Sequence, residues 1–215
     1  MRVLFLNTER GWRGGERQTL LTMRALRDMG ADIELVARAR GRLAEIAYAE
    51  GFRVHTCPTF FSLLIKLFFI SARFDVLHAH TALTASALAI FKVFKKQPIV
   101  FTRRTDFDSS KKAWVRRLKW KQFDRLVAIS RAAAKEPIRL GLKPTLVRSA
   151  VPVVEPNPTR IHEFLDQYRL RGKTLVGTAT VFTADKDPLT CISTAAKICA
   201  KHNDVIFLHW GTGGS

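Results

Sequence analysis

The chain has 215 residues and a formal net charge of +18, from 36 Lys and Arg against 18 Asp and Glu. Hydrophobic residues make up 47% of it and aromatic residues 10%, which is enough for a packed core and excludes a disordered chain. The excess of positive charge favours an anionic partner: nucleic acid, a phosphorylated metabolite or an acidic membrane surface.

Apolar strands and amphipathic helices alternate along most of the chain. We predict strands at residues 2–7, 32–37, 53–56, 75–79, 98–102, 125–129 and 145–148, and helices at residues 14–29, 41–50, 60–70, 84–94, 111–122 and 132–140. Such alternation is typical of an α/β fold built on a doubly wound parallel sheet.

A proline-rich stretch at residues 151–159 predicts a linker after this sheet. A helical pattern follows at residues 160–171, then a strand from Leu175, a loop containing Lys186, a helix, and a strand that runs into a Gly-rich turn. One helix and two strands cannot cover both faces of a parallel sheet. We therefore expect a complete domain at residues 1–155, and a linker with an incomplete second Rossmann-like domain at residues 156–215.

Residues 60–70 read FFSLLIKLFFI and approach membrane character. The segment is well below the roughly 20 residues that span a bilayer, and it carries Lys66 at its centre. Two interpretations remain open. It is either a buried crossover helix or an interfacial helix that inserts Phe and Leu side chains among lipid headgroups.

The three cysteines, Cys57, Cys191 and Cys199, have neither CxxC spacing nor a nearby His cluster. We expect buried or half-buried thiols and no metal site, and the sparse count suits a reducing cytoplasm. The N-terminal residues have too short an apolar run for a signal peptide and predict a first strand.

The loop after the first strand is rich in glycine, and the carboxyl ends of parallel strands are where such folds bind ligands. It lacks GxGxxG spacing, and the second strand ends at Ala37-Arg38 without an acidic residue, so a dinucleotide cofactor is disfavoured. Gly14 and Gly15 at a helix start expose backbone N–H groups to a phosphate or sugar, unless they only form a tight turn.

Two further strand ends carry polar residues. We expect the histidines of His78-Ala79-His80 to point to opposite faces of their strand, one packed and one lining the crevice, so that they would not easily share a metal. The next strand ends in Thr102-Arg103-Arg104-Thr105-Asp106, where Arg103 and Arg104 either hold a phosphate or pair with the carboxylate.

Together these segments resemble the retaining glycosyltransferases of the GT-B fold, in particular family 4 (glycosyltransferase group 1 type), which use nucleotide sugars. The resemblance rests on the loop at residues 11–16, FDVLHAHTALTA at residues 74–85, FDRLVAIS at residues 123–130 and VGTATVFTADKDP at residues 176–188. Each motif is loose alone, and their order and spacing make the set more specific.

The resemblance implies roles for several residues. Gly14, Gly15 and Lys186 match positions that bind the donor diphosphate, with Lys186 offsetting charge on the leaving group. Glu16, His80, Arg103 and Arg104 are assigned to the acceptor side of the cleft, Arg104 standing where some members carry a His. An Arg that usually precedes the lysine is absent, with Thr180 and Val181 near that position. The resemblance also implies a nucleotide diphosphate sugar as co-substrate, with no metal and no cofactor.

The resemblance also predicts a missing function. The paired glutamates that hold the donor sugar lie downstream of Ser215 in the family, so we expect a form truncated in the donor domain, with little or no transferase activity alone. The alternative is a non-catalytic fragment that binds membrane and acceptor.

Basic residues and tryptophans crowd one stretch, which we expect to face an anionic membrane: Lys111, Lys112, Trp114, Arg116, Arg117, Lys119 and Trp120. A solvated helix face is the alternative. Membrane docking favours a peripheral enzyme on the inner face of the cell membrane, acting on a lipid-linked or glycan acceptor of polysaccharide, lipopolysaccharide or glycolipid assembly.

A nucleic-acid-binding protein would also explain the charge. The sequence has no helix-turn-helix signature, RNP string or zinc-finger spacing, so we expect no specific nucleic-acid partner.

Overall fold

The computed structural model describes residues 1–92, 96–106 and 113–211, apart from the side chain of Asp185. The chain forms two compact units, Met1–Pro152 and Val153–Ser215. The first unit contains the following strands and helices, in chain order: β1 (Arg2–Asn7), α1 (Gly14–Asp28), β2 (Asp32–Arg38), α2 (Arg42–Ala49), β3 (Arg53–Cys57), α3 (Phe60–Ile70), β4 (Val76–Ala79), α4 (Ala82–Lys92), β5 (Ile99–Arg103), α5 (Ala113–Trp120), β6 (Arg125–Ala128), α6 (Arg131–Arg139) and β7 (Thr145–Leu146).

The strands of the first unit form one parallel sheet in the order β3-β2-β1-β4-β5-β6-β7. This confirms the predicted doubly wound α/β fold. After β1 the chain builds outward through β2 and β3, then crosses back so that β4 pairs with the other side of β1. The strand order therefore reverses between β1 and β4, and a ligand crevice is expected outside their carboxyl ends.

Two apolar clusters hold helices on opposite faces of the sheet. Val3 and Phe5 of β1 pack with Leu20 and Met23 of α1 and with Leu43 of α2. On the other face, strand residues pack with helices α3, α4 and α5, through side chains that include Leu4, Leu6, Leu63, Leu88 and Trp120. Adjacent strand residues thus serve different cores, as the two-residue period of a strand requires.

Helix α3 is a crossover helix with an exposed aromatic face. Thr59 caps its start, the Thr59 Oγ1 accepting from the Ser62 N–H at 3.1 Å. Leu63 and Leu67 are fully buried, whereas Phe61 and Phe69 are 71% and 73% exposed. The buried side of α3 therefore fits a crossover helix, and its exposed aromatic side leaves the interfacial interpretation open. None of the described helices has the length and apolar character that crossing a bilayer requires.

The second unit contains α7 (Pro158–Gln167), β8 (Thr174–Ala179), a 3₁₀ turn (Ala184–Lys186), α8 (Pro188–Cys199) and β9 (Val205–Trp210), with β8 and β9 paired in parallel. Helix α7 begins at Pro158, inside the predicted linker, because proline fits the first helical position and Asn157 caps it by accepting from the Arg160 N–H. Cys57 is buried and the other two cysteines are half-buried, as predicted, and all three are free thiols.

Candidate functional site

A cavity of about 850 Å³ lies at the carboxyl edge of the sheet in the first unit. The loop after β1, the residues after β4 and β5, and one face of α5 form its walls. The described residues of its lining include seven cationic side chains and two carboxylates, namely Arg10, Arg13, Arg38, Arg103, Arg104, Arg116, Lys119, Glu9 and Glu16. A concave wall with this charge attracts an anionic ligand.

Helix α1 begins at this cavity, with Gly14 and Gly15 as its first two residues. The Arg13 N–H donates to the Glu16 carboxylate at 2.8 Å, so this buried carboxylate caps the helix. A Cβ on Gly15 would lie 3.7 Å from the Arg104 Cδ, which places the Arg104 side chain beside the helix start. The structure therefore brings Gly15, Glu16 and Arg104 together.

The two histidines lie on the same face of the sheet, and our expectation of opposite faces was wrong. Residues two apart in a strand share a face. The His78 and His80 ring centroids are 4.1 Å apart, and both rings contact Phe5, at 5.0 and 5.2 Å. The His78 Nε2 makes a 2.8 Å hydrogen bond with the Thr102 hydroxyl. Among the described residues, no three His, Cys, Asp or Glu side chains converge as a metal site would need.

Burial keeps both imidazoles neutral. Desolvation and, secondarily, the Arg104 charge lower the pKa of His78 to about 3. Desolvation first, and then His78 and Arg104, lower the pKa of His80 far below its usual range. The Arg104 Nη2 donates to the His80 Nδ1 at 3.1 Å. Burial also lowers the pKa of the Arg104 guanidinium, while the nearby Glu16 carboxylate raises it.

Arg103 and Arg104 leave β5 in different directions. The Arg103 Nη2 pairs with Glu136 of α6 at 2.8 Å, its Nε donates to the Ala133 carbonyl at 3.1 Å, and its guanidinium lies 5.0 Å from the Trp120 ring centre. Arg103 thus ties β5 to α5 and α6 at the cavity wall. Arg104 instead bonds to His80 at the carboxyl edge of the sheet. The ion pairs recorded among the described residues do not include the alternative of an arginine paired with Asp106.

Helix α5 turns several of the expected membrane-facing residues inward. Trp120 is 4% exposed and belongs to the core, so its assignment to a membrane surface was wrong. Arg116 pairs with Glu136 at 2.6 Å, and the Lys119 ammonium donates to the Ser86 hydroxyl at 3.2 Å. Both line the cavity, and desolvation is the main cause that lowers the pKa of Lys119. A helix returns to the same face every three or four residues, which places these side chains together.

The exposed face of α5 carries two more of the residues that the sequence predicted to face a membrane. Trp114 is 69% exposed, and Arg117 is exposed while its Nε donates to the Leu140 carbonyl at 2.9 Å. Lys111 and Lys112 lie outside the described residues.

Lys186 stands at the start of α8 in the second unit. It ends the 3₁₀ turn, and Asp187, with φ of 46°, caps α8 by accepting from the Thr190 N–H at 3.3 Å. Pro188 occupies the first helical position. Lys186 is exposed beside the positive end of a helix dipole, an arrangement that suits an anionic ligand.

Sequence reasoning missed three arginines of the cavity, Arg10, Arg13 and Arg38. Their signal was present, because Arg10 and Arg13 belong to the loop after β1 and Arg38 ends β2. The sequence prediction used the end of β2 only as evidence against a dinucleotide cofactor, and it did not include Arg38 among the site residues.

Several solved structures share this fold. Anabaena HepE (Alr3699), solved with UDP and glucose, gives a TM-score of 0.73 at 16% identity, over 98% of this chain and 69% of that chain. A Rickettsia africae glycosyltransferase gives 0.68 at 11% identity, over 97% and 68% of the two chains. The lipopolysaccharide outer core galactosyltransferase WaaB gives 0.62 at 12% identity, over 98% and 68%. Identities this low establish the fold alone.

The sequence comparisons identify the family. No protein with a curated description matches the chain. The family model described as Glycosyltransferase Family 4 matches residues 12–153, which is more than half of the 215 residues. That match spans the Gly-rich helix start, the histidine pair and the basic helix α5. The chain therefore belongs to Glycosyltransferase Family 4, and its first unit is a Rossmann-like domain of the GT-B fold.

Proposed function

We propose that this protein transfers a sugar, with retention at the anomeric carbon, from a nucleotide diphosphate sugar to a glycan, lipopolysaccharide or glycolipid acceptor of the cell surface. The observation that carries the proposal is the start of α1 at the cationic cavity. Gly14 and Gly15 leave room for a diphosphate to approach the backbone N–H groups and the positive end of the helix. HepE was solved with UDP-glucose, and WaaB is named as a galactosyltransferase of the lipopolysaccharide outer core, which supports these substrate classes.

The proposed chemistry relies on stabilising the leaving diphosphate. The N–H groups of Gly14 and Gly15 and the ammonium of Lys186 offset its developing charge, and the donor phosphate takes the acceptor proton. A route in which the donor phosphate itself accepts the proton is supported by two groups of the cavity. Each of these groups already accepts a hydrogen bond from the protein and is therefore a poor general base. The Glu16 carboxylate accepts from the Arg13 N–H, and the His80 Nδ1 accepts from Arg104.

Nucleotide binding tests this assignment. We expect titration calorimetry to detect binding of UDP or GDP to the 215-residue chain. Lys186→Ala should weaken this binding at least tenfold, because it removes the cation beside the phosphate. Lys201→Ala is the matched control, since Lys201 is also an exposed lysine of the second unit. Equal affinity of the wild-type chain and Lys186→Ala would remove Lys186 from the site. Where turnover is measurable, a product with inverted anomeric configuration by NMR would exclude retention.

We propose further that the first unit docks on the inner face of the cell membrane. Helix α3 presents Phe61, Ile65, Phe68 and Phe69 to solvent around the half-buried Lys66. Helix α5 adds exposed Trp114 and Leu118 beside Arg117. Aromatic side chains next to cations suit the headgroup region of an anionic bilayer.

Vesicle sedimentation tests the docking. We expect the chain to sediment with phosphatidylglycerol vesicles more strongly than with phosphatidylcholine vesicles, and Phe61→Ser with Phe69→Ser to reduce this at least tenfold. Met29→Ser is the control, because Met29 is an exposed hydrophobic residue at the end of α1, which packs on the opposite face of the sheet. No loss in the double variant would refute docking through α3. Vesicle binding by a chain that binds no nucleotide would favour the non-catalytic alternative.

A further inference from the structure

The hydrogen bond between Arg104 and His80 determines where the imidazole carries its proton. A guanidinium has only donors, so the His80 Nδ1 that receives the Arg104 N–H at 3.1 Å must be an unprotonated acceptor. The single proton of the neutral ring therefore lies on Nε2. A doubly protonated His80 would point its Nδ1–H at the positively charged guanidinium, which is unfavourable. The lowered pKa of His80 agrees with a neutral ring.

Two buried donors in this pair have no acceptor among the described residues. They are the Nε2–H of His80 and the Nε–H of Arg104. His80 is 5% exposed, and both residues line the 850 Å³ cavity. A buried donor without an acceptor is costly, so native structures rarely keep one unless a ligand or water satisfies it.

The surroundings specify the charge of the missing acceptor. Arg104 lies beside the start of α1, where the helix dipole is positive, and its Cδ is 3.7 Å from the position of a Cβ on Gly15. Glu16 partly balances the guanidinium and is itself bonded to the backbone of Arg13. A neutral hydroxyl would satisfy the donors, but an oxyanion would also balance the buried charge.

We infer that His80 and Arg104 form a subsite for one oxyanion of the substrate, a phosphate or a carboxylate, which receives hydrogen bonds from the neutral His80 Nε2–H and from the Arg104 guanidinium. The inference rests on the proposed function in that the cavity is taken as the substrate cavity. His80 acts here as a fixed donor that positions the substrate and transfers no proton. The oxyanion belongs either to the donor diphosphate or to an acidic acceptor, such as a sugar phosphate or uronic acid.

Inorganic phosphate and glucuronate are the probes of this subsite. Titrated into the 215-residue chain and followed by NMR of ¹⁵N-labelled histidine, phosphate or glucuronate should shift the His80 signals and bind in the millimolar range. Arg104→Gln should weaken this binding at least tenfold, and Arg104→Lys, which keeps the charge but loses the planar fork, should weaken it less. Arg131→Gln is the control, because Arg131 is an exposed arginine outside the cavity. Unchanged binding in both Arg104 variants would overturn the inference.

A pair of His80 variants separates the two ring nitrogens. His80→Gln can place an amide N–H near the position of Nε2, whereas the shorter His80→Asn reaches only the position of Nδ1. We expect the Asn variant to lose phosphate binding at least tenfold and the Gln variant to retain most of it. Equal binding by both variants and the wild type would refute the donor role, as would ¹⁵N shifts at pH 7 that place the His80 proton on Nδ1.

Saturation with UDP then identifies the source of the oxyanion. If UDP excludes phosphate from the subsite, the subsite serves the donor diphosphate. If phosphate or glucuronate still binds beside UDP, it serves an acidic acceptor. The two proposals fail through different results. The proposed function fails if the wild-type chain does not bind UDP. The inference fails if the Arg104 and His80 variants bind phosphate as well as the wild-type chain does.

Discussion

The two units of this chain differ in how they bury apolar surface. In Met1–Pro152, helices pack on both faces of a seven-stranded sheet. In the described part of Val153–Ser215, Leu170 is the one buried hydrophobic residue, and α8 leaves Leu189 and Ile192 exposed. Two helices and two strands cover too little of one another's apolar surface. Stability and the cationic cavity therefore reside in the first unit, while Lys186 lies on a unit with little core of its own.

A pair of alanine substitutions should show this difference most strongly. Leu77 is buried in β4, so Leu77→Ala removes packed side-chain atoms from a closed core, and we expect it to cost about 2–5 kcal/mol of unfolding free energy. Ile192→Ala, on the exposed face of α8, should cost less than about 0.5 kcal/mol. Urea unfolding of both variants is the measurement. Equal losses would mean that α8 is buried in solution.

A buried carboxylate should make the stability of the first unit depend on pH. Glu34 of β2 is buried, with the His55 Nε2 at 2.6 Å and the Arg53 Nη1 at 3.1 Å. Burial raises the pKa of Glu34, but the hydrogen bond from His55 and the charges of His55, Arg53 and Arg73 outweigh it, so the pKa falls below 4.5. A lowered carboxyl pKa adds stability above the unfolded value, and that stability is lost as the pH falls through the folded value.

Glu34→Gln should therefore destabilise the chain by about 1–3 kcal/mol at pH 7, since it removes the acceptor of a buried network. The difference from wild type should shrink as the pH falls below about 4, a typical carboxyl pKa. Asp166→Asn in the second unit is the matched control, because Asp166 forms an exposed surface ion pair with Arg171, and loss of such a pair should leave the unfolding transition unchanged. A Glu34→Gln effect independent of pH would show that packing, rather than charge, is lost.

Helix caps offer a smaller test of the same contrast. Thr59 caps α3 in the first unit, and Asn157 caps α7 in the second, each accepting a backbone N–H at 3.1 Å. Thr59→Ala should lower the global unfolding free energy by about 1 kcal/mol, a typical cap loss. Asn157→Ala should loosen α7 locally and leave the main denaturant midpoint unchanged. Hydrogen exchange of α7 amides, read beside urea unfolding, separates the two results.

The smallest global effect is expected at the end of β9. A Cβ on Gly211 would lie 1.9 Å from the Thr180 carbonyl oxygen, so Gly211→Ala forces the ends of β8 and β9 apart. The Thr180 N–H, which donates to the Trp210 carbonyl at 3.0 Å, should exchange roughly tenfold faster through local opening. The melting temperature of the first unit should not change. A lower melting temperature would show that the two units unfold together.

The sequence was a good guide to the fold because periodicity reports which side of an element is buried. The alternation of strands and helices predicted the doubly wound sheet. Strand β7 was the main difference, predicted at residues 145–148 and observed as Thr145–Leu146, since little in its composition marks where pairing stops. Pro158 was assigned to a linker, although it fits the first turn of a helix.

The site was harder to predict because its residues depend on partners distant in sequence. Glu136 pairs with Arg103 and with Arg116, and no local pattern links these positions. The run of cations around α5 suggested one continuous basic surface, whereas the helix turns Arg116 and Lys119 toward the cavity. The resemblance assigned His80 and Arg104 to the cleft, and both line the cavity, but no sequence pattern indicates the hydrogen bond between them that fixes the imidazole proton.

The pairing of β4 with β1 has a consequence for the order of folding. The paired residues Val3 of β1 and Val76 of β4 lie far apart in the sequence. By contrast, β1, β2 and β3 follow one another in the chain and are joined by short βαβ connections. Because contacts near in sequence form faster, we expect β1, β2 and β3 to pair first during synthesis, and the seam between β1 and β4 to close only after β4 has left the ribosome. His80 directly follows β4, and the Gly-rich loop directly follows β1. Closure of that late seam would therefore be the folding event that brings the walls of the cationic cavity together.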